Sequence, residues 1–172
     1  MSASKKIFFV LVAGAIAITI NILLLNICDA FGIVTARGGL QRLVRLWLGG
    51  PLTQIGVADV WAATGLPGPD TAIFRTGFKV SVGLGMAVFY ALVVDPFMGG
   101  GALLKGLVYA LFVWLINAFV VLPLLGEGIA GARLLTALGM VSFAAAHTVF
   151  FVVLAYLYAG LVGRTAPREA PA

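Results

Sequence analysis

Four apolar stretches dominate the chain: Ile7 to Ile27, Phe78 to Val94, Leu103 to Leu122 and Leu134 to Leu157. A helix needs about 20 mostly apolar residues to cross about 30 Å of hydrocarbon, and each stretch meets this within the tolerance for tilt. None contains an acidic side chain. Asp70 and Thr71 offer an N-cap well before the apolar part of the second stretch, so that helix is expected to start early. Lys5 and Lys6 with Ala13-Gly14-Ala15 resemble a signal peptide and its cleavage site. The apolar run continues to Ile27, too long for a signal core, which predicts an uncleaved anchor.

The connections are unequal. Asp95-Pro96-Phe97-Met98-Gly99-Gly100-Gly101 and the segment Pro123 to Arg133 are short enough to force antiparallel neighbours. Residues 28–77 form one long loop. Within it Leu40, Leu43, Val44 and Trp47 share a helical face opposite Gln41, Arg42 and Arg45, with Gly49-Gly50 as the expected stop. Pro51 and Gly65 frame a second short helix from Leu52 to Thr64, carrying Asp59 and Trp61. The reading is an all-α, integral membrane four-helix bundle with two short interfacial helices in the long first loop. Residues 1–162 form one domain, and 163–172, with Pro167 and Pro171, a disordered tail.

Composition reinforces this class. Of 172 residues, 62% are hydrophobic and 10% charged, against about 25% charged in an average soluble domain. The net charge of +5 would suggest nucleic acid in a soluble chain, but here the cations flank apolar segments and are expected to meet anionic lipid. Arg37, Arg42, Arg45, Arg75 and Lys79 are the candidates for lipid or partner contact. Placing the N-terminus in the cytoplasm puts Lys5, Lys6, Lys105, Arg164 and Arg168 inside and the other six cations outside, so the count does not orient the chain. Lys5 and Lys6 before the first span and Asp29 after it favour cytoplasmic termini.

Without a hydrophobic force between helices in lipid, close packing of small residues must hold the bundle. Gly77, Ser81 and Gly85 recur in the second span, Ala102, Gly106 and Ala110 in the third, Ser142 and Ala146 in the fourth. These stripes predict helix packing or self-association. Polar residues inside the membrane are the natural place to seek a function. At about 1.5 Å rise per residue, Asn21 and Asn117 lie roughly 9 Å below the loop-rich surface, near Ser81 and Ser142, so one hydrogen-bonded layer is expected to join the helices. His147, Tyr90 and Tyr109 come out at about 20 Å. They are candidates for holding a quinone, lipid head or haem, or simply for bridging helices.

Other chemistry is poorly provided for. One cysteine, Cys28, and one histidine, His147, supply neither a disulfide nor the roughly four ligands of a structural zinc site. The acidic residues sit at span ends or in loops, which argues against a proton pathway. Ser142 and His147 are about 140° apart around a helix and cannot form a nucleophile pair. No catalytic set, metal or cofactor is expected.

Two segments bear a likeness. Lys105-Gly106-Leu107-Val108-Tyr109-Ala110-Leu111-Phe112-Val113-Trp114, followed by Pro123-Leu124-Leu125-Gly126 and Gly128, is similar to the third helix of small four-helix bacterial inner-membrane proteins of unassigned function. His147-Thr148-Val149-Phe150 with Tyr156-Leu157-Tyr158-Ala159-Gly160 resembles their last helix. Ala110 and Phe151 stand where that pattern has glycines. The resemblance implies the architecture and a bacterial inner membrane, and no catalytic residues. The combined expectation is a non-catalytic accessory, assembly or stabilising component in contact with membrane lipids, and through its small-residue faces with other membrane subunits or itself. The alternative is a small-molecule binding or transport protein with a polar cavity.

Overall fold

In the computed structural model, which describes residues 3–36 and 38–163, the described chain is helical without strands. Arg37 and the tail from residue 164 lie outside the described residues. Four helices are long and apolar enough to cross a membrane: α1 (Ala3–Ala30), α4 (Ala72–Phe97), α5 (Ala102–Leu124) and α6 (Ala137–Gly163). Two shorter helices, α2 (Gly39–Gln54) and α3 (Val57–Ala63), occupy the long connection. The protein is a multi-pass four-helix membrane bundle.

The spans are longer than their apolar cores because capping, not hydropathy, sets their ends. Thr71 caps α4 by accepting the Phe74 N–H at 3.2 Å, so the helix starts six residues before Phe78. Thr136 accepts the Gly139 N–H at 3.1 Å and starts α6 at Ala137, later than Leu134. Thr71→Ala is expected to cost about 1 kcal/mol. Faster amide exchange confined to the first turn of α4 would verify it.

The helices run antiparallel in the spatial order α4, α1, α6, α5. Helix α1 packs on α4 and α6, and α5 packs on α6, whereas α4 and α5 meet mainly where their hairpin joins them. Small residues make these contacts close. Gly14 faces Ala87, where an added Cβ would come within 2.6 Å, and Gly83 faces Ile18 at 2.8 Å. Gly106 and Ala110 are buried on the α6 side as expected.

The expected stripe on α4 is displaced. Gly77 and Gly85 have nothing within 4 Å of an added Cβ and Ser81 is exposed, while Gly83 and Ala87 make the contact. Two positions along a helix turn it by about 200°, so the two small-residue rows face nearly opposite ways. Ala13 and Ala17, in and beside the cleavage-site look-alike, are fully buried packing residues.

Both α4 and α5 widen into a π turn, at Tyr90–Val94 and Asn117–Val121. Each lies just ahead of a proline, Pro96 and Pro123. Proline has no N–H and its ring crowds the carbonyl four residues earlier; the wider turn relieves that clash without ending the helix.

The short helices differ from the expected division at Gly49-Gly50. Helix α2 continues through Gly49, Gly50 and Pro51, and the chain turns at Gly56, whose φ of 75° glycine adopts without strain. Helix α2 is fastened at two points. Arg42 pairs with Glu127 in the α5–α6 loop, and Arg45 pairs with Asp70 ahead of α4. Gln41 Nε2 adds a bond to Pro69 O at 3.1 Å. Helix α2 thus straps the loop end across the side where α4 and α5 stand apart.

Candidate functional site

Beneath this strap lies a cavity of about 210 Å³. All four spans reach it: Ile18 and Asn21 from α1, Lys79 and Gly83 from α4, Val113 and Asn117 from α5, Phe143 and His147 from α6. Residues 38–41, at the start of α2, complete its wall. Gly39 belongs there because it packs on Val121, Leu122 and Leu125.

The polar side chains on the wall are partly engaged. Asn21 Nδ2 donates to Ala146 O at 2.9 Å, a buried bond between α1 and α6. The amide keeps a second N–H and its carbonyl oxygen. Asn117 Nδ2 donates to Val113 O, on its own helix, at 3.0 Å. His147 Nδ1 lies 2.9 Å from Phe143 O. A carbonyl only accepts, so Nδ1 carries the proton and Nε2 of the neutral ring is an acceptor.

The single layer expected to join all four helices is therefore one cross-helix bond. Ser81 is exposed and does not line the cavity. The second expected group divides. His147 joins the asparagines, and its ring packs on Phe143 with centroids 4.3 Å apart. Tyr90 and Tyr109 lie deeper, in an aromatic layer with Phe151 and Tyr158. Tyr109 is 4.4 Å from Phe151 and 6.1 Å from Tyr90, and Tyr158 meets Tyr90 edge-on at 5.9 Å. Tyr109 Oη donates to Met86 O at 3.2 Å. Tyr158 is buried in this layer, while Tyr156 is exposed.

The helix ends explain the division. Counted from Ala72, Tyr90 is about 27 Å along α4, whereas His147 is only about 15 Å from Ala137. The early start of α4 carries Tyr90 below the histidine.

The four described candidate cations have different places. Arg42 and Arg45 hold α2, and Arg75 donates to Asp70 O at 2.8 Å. Lys79 is on the cavity wall. At the opposite end, Lys105 Nζ bonds Asp95 Oδ1 at 2.6 Å and Asp95 O at 2.8 Å, closing the α4–α5 hairpin. Lys79 was legible only as a cation near a span end, because which way it faces depends on the phase of α4. Among the described residues, no group of three or more His, Cys, Asp or Glu could hold a metal ion.

The fold defines a helical, multi-pass membrane protein with a largely apolar cavity between its spans that carries a few polar side chains. No protein family, curated protein or solved structure matches the chain. The resemblance to small bacterial inner-membrane proteins rests on the quoted residues alone.

Proposed function

We propose that this protein binds a small amphipathic molecule that reaches the cavity from the bilayer through the gap between α4 and α5. The observation that carries the reading is the convergence of Asn21, Gln41, Lys79, Asn117 and His147 on one otherwise apolar cavity. A few fixed polar groups in an apolar wall are what orient a ligand. The cavity, about 210 Å³, is smaller than the roughly 300–1,000 Å³ of pockets for drug-sized ligands. It suits a head group or one ring, with the remainder of the molecule in the gap. The proposed role is binding rather than catalysis.

An accessory, assembly or stabilising role in a membrane complex is the second reading, favoured by the exposed row Gly77, Ser81 and Gly85, where a Cβ added at either glycine would meet nothing within 4 Å. The resemblance supports a bacterial inner membrane, and Lys5, Lys6 and Asp29 support cytoplasmic termini.

Native mass spectrometry of the protein released from its own membranes tests both readings. Binding predicts a retained small-molecule mass that disappears in Val82→Trp, which fills the cavity wall, while the thermal midpoint stays close to wild type. A chain without such a mass, found in fixed ratio with other polypeptides, would replace this reading by the accessory one.

A further inference from the structure

The chemistry of the cavity specifies the head of its ligand, an inference that rests on the binding role above. We propose that the ligand is an amphiphile with one anionic head, a carboxylate or a phosphate monoester, seated beside Lys79. Its apolar tail leaves between α4 and α5 into the bilayer.

Charge is the first argument. Of the described residues lining the cavity, Lys79 has a formal charge and none is acidic. A zwitterionic head would bring an ammonium with no carboxylate to receive it, whereas an anion meets a cation and neutral donors. Asn21 retains an amide N–H, and Gln41 stands at the α2 side of the wall.

The start of α2 is the second argument. Its residues 38–41 form part of the cavity wall, and no side chain caps its first N–H groups. The positive end of the helix dipole therefore acts on the same space as Lys79. A helix end alone would define no site; here it and a lysine line the same cavity.

Depth is the third argument. Helix α4 has 26 residues, about 39 Å in length, so each end extends about 4–5 Å beyond a hydrocarbon layer of about 30 Å. Lys79 lies about 10 Å from Ala72, about 6 Å inside that layer. An ammonium at this depth commonly snorkels outward. On the cavity wall it is instead level with the upper part of a lipid whose head has moved in sideways. On its α4 and α5 sides the cavity wall includes the apolar side chains Val82, Met86, Val113 and Ile116.

The test uses the full chain in a neutral detergent, with oleate, oleyl phosphate and methyl oleate as probes. Oleate or oleyl phosphate is expected to bind about tenfold or more tighter than methyl oleate, the size of one charge-assisted hydrogen bond. Lys79→Gln should bring acid and ester to within about twofold, and Lys79→Arg should restore most of the preference. Should Lys79→Gln fail to fold, the comparison of probes on the wild-type protein still decides.

Equal binding of acid and ester, both abolished by Val82→Trp, would overturn the anionic head and leave the binding role standing. No binding of any probe would overturn both. Displacement of bound oleate by excess inorganic phosphate would overturn the amphiphile in favour of a water-soluble anion.

Discussion

Replacing Gly106 by valine is expected to destabilise the bundle by about 3 kcal/mol, the upper end for overpacking a close contact. A Cβ at this position would sit 2.9 Å from Val152 Cα and 3.0 Å from Phe151 O, both backbone atoms of α6. Backbone cannot rotate away as a side chain can, so the helices themselves must separate. The aromatic layer would open with them, since Tyr109 on α5 packs on Phe151 of α6. Gly85→Ala is the matched control: it adds a methyl in open space on the exposed side of α4 and should be neutral or slightly stabilising. Reversible unfolding in mixed micelles would measure both. Equal loss in the two variants would mean that helix propensity, not close approach, governs these glycines.

Arg42→Ala is expected to cost about 2 kcal/mol and to release α2. Glu127 is only 7% exposed, and removing its cation leaves a buried carboxylate unpaired. Breaking a fully buried pair costs about 3–5 kcal/mol, but the Arg42 side chain is 46% exposed and solvent screens part of the interaction. Glu127 has a second oxygen, Oε2, that is already buried without a hydrogen bond, which adds to its dependence on Arg42. The double variant Arg42→Ala, Glu127→Gln should recover much of the loss, because no stranded charge remains. Hydrogen exchange across residues 39–54 would locate the effect: protection should fall in α2 and persist in α1 and α6. Unchanged protection in α2 would show that Gly39 and Arg45 hold the strap without Arg42.

The same pair changes the reading of the basic loop. Arg42 and Arg45 fall on the polar face of an amphipathic helix, which in a sequence looks like a surface for anionic lipid. Their carboxylate partners are 85 and 25 residues away, beyond the reach of any local pattern. Charge reversal at these arginines would therefore disturb the attachment of α2 as well as any contact outside the chain.

Glycine and polar positions show a related limit. A row of small residues spaced by four marks a helix face but not the neighbour it meets. On α5 the row Gly106 and Ala110 does face α6; on α4 the contact row is Gly83 and Ala87, two positions from Gly85. Asn21, Asn117 and His147 could be singled out because uncharged polar groups in apolar spans are rare. Their grouping, and the separation of His147 from Tyr90, followed from where caps began the helices.

Hydropathy and length determined by themselves that this is a helical, multi-pass membrane protein with four spans and a long, partly helical first connection. The reason is local and strong: backbone polar groups in hydrocarbon must be satisfied within their own segment, so about 20 apolar residues already imply a helix. Only the tertiary structure decided which faces meet, that α4 and α5 stand apart, that α2 straps the opening, and that Lys79 joins four neutral polar groups around a cavity. Those outcomes depend on helix rotation and on contacts between distant residues, and in a uniformly apolar span many rotations have nearly the same burial.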